Sequence, residues 1–412
     1  MATDAPPGWD FFFENAGLDA LSRTAGELAA GADPARLNAE LRRSGLTPEQ
    51  TAAVLTQAML RLKARAKFGD LAMSLLFTPA GLEQATRAGV AARHAARFRD
   101  AGCTRVADLG CGVGAESIAL LGAGIAPLAV ELDPLTARIA AHNLGVAAAH
   151  HRKPHPEVRL GDAETLGPGD ADGVFLDPAR RTAGHSDTRR VASPSDYSPS
   201  LDFAFALADA LPTGVKLGPG LDRELIPDAA EAQWVSVDGQ VVETGLWFGA
   251  LARPGVKRSA LLLRDGTAAE LSASADSPDA EVRTRGEYLY EPDGAVIRAR
   301  LIGKLAHQIG AGMLSDGIAY LTADRHIPTA FAQPFRILEE LPVREKELRK
   351  ALATRGIGSL EIKKRGVDVD PAALRTRLKL RGSKRATLFL TRAAGAHVAL
   401  LAERVTQRGL PS

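Results

Sequence analysis

Three glycines at alternate positions, in Asp108-Leu-Gly-Cys-Gly-Val-Gly114, are the residues of this 412-residue chain whose spacing speaks most directly of chemistry. Gly110, Gly112 and Gly114 permit a sharp turn after an apolar run, so that backbone can pass close to a ligand with no side chain between. Asp108 opens the turn, where it can order the loop and meet a ligand ammonium directly or through water, and Cys111 lies inside it. Glu131 ends the next apolar run, 17 residues beyond Gly114, where a carboxylate can accept hydrogen bonds from both hydroxyls of a ribose. Asp133 is a secondary candidate for the same task. Asp162 and Ala163 follow a third run, placing a carboxylate for an adenine amino group and a backbone N–H for a ring nitrogen. Three such points in this order fit an adenosyl-amino acid, S-adenosylmethionine. A nicotinamide dinucleotide would call for G-x-G-x-x-G and a pyrophosphate on a helix N-terminus; here the spacing is G-x-G-x-G with Glu116 close behind.

A fourth run ends in Asp177-Pro178-Ala179-Arg180-Arg181, at the edge where an open α/β sheet brings substrate to cofactor. Asp177 could accept a hydrogen bond from an amino or ring N–H, Pro178 fixes the local backbone, and Arg180 and Arg181 could hold phosphate. A methyl displacement needs alignment more than acid or base, so positioning would be the main catalytic effect. A plain helix-capping role for Asp177 stays open. Residues 182–200, rich in Ser, Pro, Asp and Arg, form a long loop over the expected mouth and a candidate lid, and Lys216-Leu-Gly-Pro-Gly220 lines the same mouth or is a simple strand-to-helix turn. The two cysteines, Cys103 and Cys111, supply neither a disulfide framework, nor a metal site, nor a pyrimidine-attacking nucleophile. His142, His150, His151 and His155 lack metal-ligand spacing, so no metal is expected.

Those residues need elements to carry them. Hydrophobic residues at 45% and charged ones at 24% are ordinary for a globular protein and exclude fibre and disorder. The start of the chain has neither the basic residues nor the apolar core of an export signal, and no long apolar run appears, so a cytoplasmic protein without a membrane span is expected. Residues 1–98 read as an all-α module. Its clearest start is Thr47-Pro48-Glu49-Gln50, a capped helix closed by Gly69, and a second helix starts at Thr78-Pro79 and runs toward Phe98. Residues 99–266 alternate strands with helices, the strands being expected at 105–109, 126–131, 158–160, 173–176, 214–217, 233–237 and 258–263. Residues 267–340 read as a linker, centred on 272–279, and a small α/β region with strands at 287–290 and 318–322 around a helix at 295–309. Residues 341–412 read as a small α+β domain, with helices at 344–355 and 371–380 and strands at 359–364 and 386–390.

Taken together, Leu82-Glu83-Gln84-Ala85-Thr86, Asp108 to Gly114, Asp177 to Arg181 and Glu361-Ile-Lys-Lys-Arg-Gly366 resemble the bacterial class I methyltransferases with a C-terminal THUMP-like domain. Asp370-Pro371 with Leu374-Arg375, Gly382 and Leu390-Thr-Arg392 extend the likeness to the end of the chain. The resemblance implies a seven-stranded, Rossmann-like class I sheet that binds S-adenosylmethionine, and a tail related to domains that recognise structured RNA. It also places Gln84 and Thr86 near the methionine end of the cofactor. Asp-Pro-Ala-Arg departs from the Asp/Asn-Pro-Pro-aromatic run of amino methyltransferases, which puts exocyclic amines in doubt as acceptors.

The charge distribution points the same way. Residues 341–412 hold 17 Lys/Arg against 6 Asp/Glu in a chain whose net charge is +2. Lys363, Lys364, Arg365, Arg375, Arg377, Arg381, Lys384 and Arg385 are candidate phosphate contacts, and the scarcity of aromatics among them favours shape and phosphate recognition over base stacking. Three functions fit: a methyltransferase for a base of tRNA or rRNA, a small-molecule methyltransferase with a structural tail, and a non-catalytic RNA-binding protein. The acidic residues at 108, 131 and 162 speak against the last.

Overall fold

The structure, a computed structural model, describes residues 6–180 and 193–406. It divides into two compact units: Met1–Leu217 with Asp222–Ala229 and Leu246–Ala252, and Gly218–Leu221 with Ala230–Gly245 and Arg253–Ser412.

The first unit opens on helices α1 (Asn15–Ala29), α2 (Pro34–Arg43), α3 (Pro48–Phe68), α4 (Pro79–Gln84) and α5 (Ala88–Asp100). Thr47 caps α3 as expected: its hydroxyl accepts from Gln50 N at 3.2 Å, and the Gln50 side chain accepts from Thr47 N at 3.0 Å. Gly69, at φ 60°, ends that helix. The helix expected from Thr78 toward Phe98 is instead two, because Ala85 and Arg87 take extended ψ angles of 134° and 139°. Phe12, Leu21, Val54 and Phe77 of the helical part share one buried cluster with Val113, Leu135 and Ile139, so the helices pack directly on the glycine turn and the helix after β2.

The strands are β1 (Arg105–Leu109), β2 (Ala126–Glu131), β3 (Glu157–Leu160), β4 (Gly173–Leu176), β5 (Ala179–Arg180), β6 (Tyr197–Ser198), β7 (Thr213–Leu217), β8 (Glu231–Val237), β9 (Gln240–Phe248), β10 (Arg258–Arg264) and β11 (Thr267–Ala273). Between them lie α6 (Ala115–Gly122), α7 (Pro134–His151), α8 (Ala163–Leu166) and α9 (Leu201–Ala208). All seven expected strands form, but the sheet has nine, in the order β11-β10-β8-β9-β7-β4-β1-β2-β3, and the seven-stranded count is corrected accordingly. The two additions, β9 and β11, each follow an Asp-Gly pair at positive φ, Asp238-Gly239 (51° and 81°) and Asp265-Gly266 (49° and 74°). Such pairs fit the two-residue turns that match strand twist in a hairpin. Residues 272 and 273, expected in a linker, end β11.

β1 pairs in parallel with β2 and β4, β2 with β3, and β4 with β7. Parallel pairing puts the C-terminal ends of these five strands on one edge, where ligands bind in open α/β sheets.

In the second unit follow β12 (Tyr288–Pro292), α10 (Gly294–Arg298), α11 (Ile302–Gln308), β13 (Gly312–Ser315), β14 (Ile318–Ala323), β15 (Ala332–Leu341), α12 (Glu345–Thr354), β16 (Ile357–Lys364), α13 (Pro371–Leu378), β17 (Lys384–Ala393) and β18 (Ala396–Arg404). Their strands make one seven-stranded sheet, β13-β14-β12-β15-β18-β17-β16, drawn from both sides of residue 341. The helix expected at 295–309 is broken by Arg300 at φ 57°. Both faces of this sheet are covered: Leu388 and Leu390 of β17 join one buried cluster, with Leu348 and Leu374 of α12 and α13, while the intervening Phe389 joins another with Tyr320 and Phe335. Among the described residues, no helix is long and apolar enough to cross a membrane.

Candidate active site

The turn after β1 is built as its glycines require. Gly110, Gly112 and Gly114 all take positive φ, at 88°, 55° and 90°, a region that L side chains rarely adopt. Glu131 ties the turn to the end of β2, its two oxygens accepting from Gly112 N and Asp133 N, each at 2.9 Å. A carboxylate has about four acceptor positions, so two bonds leave capacity for hydroxyls. The buried Cys111 packs in a cluster with Leu121, Ala129 and Leu144, its thiol donating to Gly112 O at 3.7 Å. Asp133 caps α7, accepting from Thr136 N and Oγ1 at 2.8 Å. Asp162 caps α8 through Glu164 N at 2.8 Å and is exposed, with Ala163 buried behind it. Leu132 is 63% exposed beside Glu131, and Leu160, paired in register with Glu131, is 57% exposed. Two large apolar side chains left bare at this edge suit a flat aromatic ligand such as adenine; sequence reading passed over them, although a leucine between two acidic residues is a visible signal.

Asp108 is buried. Its Oδ2 accepts from Ser117 N and Oγ at 3.1 and 2.6 Å, whereas Oδ1 has no partner among the described residues. Burial lifts its pKa to about 7; the Glu116 and Asp177 carboxylates add to the rise and the Ser117 bonds oppose it. A buried carboxylate oxygen without a donor among the described residues, beside the glycine turn, fits a ligand that brings a cationic group of its own.

Asp177 and Lys216 meet because β4 and β7 run in register, Leu176 opposite Val215, so the next residues along are opposite as well. They form an ion pair, and Lys216 Nζ also donates to Thr86 Oγ1 at 3.1 Å. One step deeper, Nδ1 of His94 lies 3.2 Å from both oxygens of Glu116, with the His94 ring stacked on Phe175 at 5.5 Å. Burial works against ionising Glu116, but the charge and hydrogen bond of His94, helped by Lys216 and Thr86, hold its carboxyl below the usual range. Sequence reading missed His94, Glu116 as a partner, and Ser117; the one signal was a carboxylate inside the apolar run of α6.

Pro178 is buried, Arg180 lies in the short strand β5, and Arg181 falls outside the described residues, as does 182–192 of the expected lid. The remainder of that loop returns along the site: β6 pairs with β5, and a methyl group at Gly110 would stand 3.8 Å from Asp177 O and 3.9 Å from Pro199 Cδ. In the second unit, the basic residues differ in what they meet. Lys363 pairs with Glu291 and Glu361, Arg377 with Glu345, Arg375 donates to Leu360 O, and Arg365 lies over the Tyr320 ring. Lys364, Arg381, Lys384 and Arg385 are exposed and carry no ion pair among the described residues. Among the described residues no group of three or more His, Cys, Asp and Glu is placed to hold a metal ion.

With this geometry, likeness to known proteins is informative. An uncharacterized S-adenosylmethionine-dependent methyltransferase of Mycobacterium tuberculosis, represented in strains H37Rv and CDC 1551, is 36% identical over 343 residues, 81% of this chain and 90% of the relative. The chain belongs to the S-adenosylmethionine-dependent methyltransferases. This methyltransferase matches the THUMP domain-like family over residues 332–404, and a family of domains of unknown function, DUF8688, over residues 9–64. A crystal structure from Porphyromonas gingivalis W83, described as a candidate methyltransferase, shares its fold with a TM-score of 0.73 at 24% identity, covering 96% of this chain and 100% of that one. The methyltransferase therefore uses S-adenosylmethionine and joins a class I fold to a THUMP-like domain.

Proposed function

We propose that this methyltransferase acts in the cytoplasm on a base of structured RNA, tRNA or rRNA. The observation that carries the reading is the exposed set Lys364, Arg381, Lys384 and Arg385, left without carboxylate partners among the described residues in the segment that matches the THUMP-like family. Surface cations without internal partners are what a phosphate backbone requires, because neutralising phosphates and releasing their counterions drives such binding.

In this reading S-adenosylmethionine supplies an activated methyl on sulfur. Asp108 would meet the ammonium of its amino-acid end, Glu131 would hold the ribose with Asp133, whose N–H donates to Glu131, as the secondary residue there, and Asp162 with Ala163 would meet the adenine. Gly110, Cys111, Gly112 and Gly114 contribute backbone. Asp177, fixed by Pro178 and held by Lys216, orients an N–H of the acceptor base, and Arg180 and Arg181 take its phosphate. The pairing with Lys216 keeps Asp177 an acceptor of hydrogen bonds, so a base is held through its donor edge and the chemistry rests on alignment.

The test compares full-length protein with the variant carrying K364E, R381E, K384E and R385E for binding to total tRNA and rRNA across a salt series. Nucleoside mass spectrometry of RNA from cells with and without the gene identifies the product. The expected result is salt-sensitive binding by the native chain, lost by about 10²-fold in the variant at low salt, and one methylated nucleoside missing without the gene. Absence of RNA affinity at low salt would overturn the reading in favour of a small-molecule acceptor.

A further inference from the structure

The helical module has no assigned role, yet one of its helices carries three polar side chains in unusual employment. Gln57 and Arg61 of α3 are fully buried, and Lys67 is half-buried. All three are used on the backbone of residues 75–86. Arg61 Nε donates to Leu75 O at 2.8 Å; the Gln57 amide accepts from Phe77 N at 3.1 Å and donates to Phe77 O. Lys67 Nζ donates to Leu82 O, Glu83 O and Ala85 O at 2.8, 2.6 and 2.7 Å, gathering the free carbonyls at the end of α4. Burying such groups is unfavourable unless each is satisfied, and here the satisfaction fixes another segment.

That segment touches the site at Gly81, in its middle, and at Thr86, its end. A methyl group at Gly81 would lie 2.6 Å from Cγ1 of Val113, a residue of the glycine turn, so the Val113 side chain packs against the strap backbone where glycine leaves room for it. Asn143 of α7, fully buried, clamps the same junction: it accepts from Leu76 N at 2.7 Å and donates to Leu76 O and Val113 O, both at 2.9 Å. At the far end Thr86 accepts from Lys216, the partner of Asp177.

We propose that residues 75–86 are a strap, held by Gln57, Arg61 and Lys67 of α3, whose contact with Val113 sets the glycine turn for the cofactor, so that the helical module is part of the cofactor-binding machinery. This rests on the turn being where S-adenosylmethionine binds. Lys67 is a positioning residue for the turn, and Gly81 is the point at which the strap bears on it.

Calorimetric titration of S-adenosylmethionine into full-length protein tests the coupling through Gly81→Ala, Val113→Ala and the double variant. A β-carbon at position 81 would also meet Thr78 Oγ1, the cap of α4, at 2.8 Å, so only the part of the loss that Val113→Ala relieves belongs to the contact with the turn. Gly81→Ala is expected to weaken binding about tenfold, and the double variant to return to within about threefold of Val113→Ala alone. Lys67→Met, which frees carbonyls near the surface, is expected to weaken binding about fivefold while the melting temperature without cofactor stays within about 3 °C, and it decides the matter should Gly81→Ala not fold. Unchanged affinity in Lys67→Met, or losses that simply add in the double variant, would overturn the strap. Asp108→Ala runs in parallel: if it leaves affinity unchanged, the turn is not the cofactor site and the proposal falls with it, whereas a loss there beside native affinity in Lys67→Met condemns the strap alone.

Discussion

Asp108 combines burial, a half-satisfied carboxylate and two neighbouring carboxylates, and each of these makes its charge costly in the folded protein. The folded group keeps its proton up to about 7 where an ordinary aspartate releases it near 3.8. Between those values the folded chain binds more protons than the unfolded one, so this group makes stability fall as pH rises through that window. A cationic ligand group beside Asp108 reverses the preference and favours the carboxylate. Cofactor affinity is therefore expected to rise as pH goes from 6 to 8, with proton release on binding, and Asp108→Asn is expected to flatten that dependence. Calorimetry in buffers of different ionisation enthalpy measures both. At the acceptor side, Asp177→Asn is expected to retain cofactor binding but to lower the transfer rate about 10²-fold, because misplacing a hydrogen-bond acceptor spoils alignment while the cofactor contacts stay. Single-turnover transfer to the acceptor nucleoside, read beside the cofactor titration, separates the two.

Helix α7 shows how one side chain can join elements that are distant in sequence. Its Asn143 makes three hydrogen bonds to main-chain groups of Leu76 and Val113, linking the helical part, the helix and the glycine turn in one buried contact. Asn143→Ala leaves three buried backbone groups without partners, and a stability loss of about 3 kcal/mol is expected in urea unfolding. Asn143→Asp keeps the acceptor for Leu76 N but loses both donations, so it should destabilise as well. Hairpins behave differently. The Asp238-Gly239 and Asp265-Gly266 turns specify β9 and β11 through local backbone conformation alone, and they need no remote partner to be recognised.

Over all 412 residues the charge nearly cancels, yet the last 72 carry a large basic excess. Part of it is used internally: Lys363, Arg355, Arg377 and Arg404 pair with Glu291, Glu339, Glu345 and Glu361. Only the cations left over can contact phosphate, so the dependence of RNA affinity on salt should be shallower than the raw count of 17 Lys/Arg implies. Each of Lys364, Arg381, Lys384 and Arg385 changed singly to Gln is expected to reduce the slope of log affinity against log salt by about one. Arg377→Gln, whose guanidinium is held by Glu345 at 3.0 Å, should change it far less. Filter binding at several salt concentrations provides the comparison.

What could be read from residue order alone was whatever acts through near neighbours. The glycine turn, the capping box at Thr47, the parallel strands with an acidic residue at the end of each of the first four, and the Asp-Gly hairpin signals are all local in sequence, and the seven expected strands follow from them. The full sheet exceeds the seven expected strands because β9 and β11 follow the Asp238-Gly239 and Asp265-Gly266 turns, which the expected strand pattern does not include, and the helix expected from Thr78 is cut in two by Ala85 and Arg87, whose extended conformation accompanies the grip of the remote Lys67 on the preceding carbonyls. The pairing of Asp177 with Lys216, the burial of Gln57 and Arg61, the His94–Glu116 contact and the clamp of Asn143 on Leu76, 67 residues away, had no local signature. Each exists because packing brings separate elements into one low-dielectric space, where a polar group must find a partner wherever the fold supplies one.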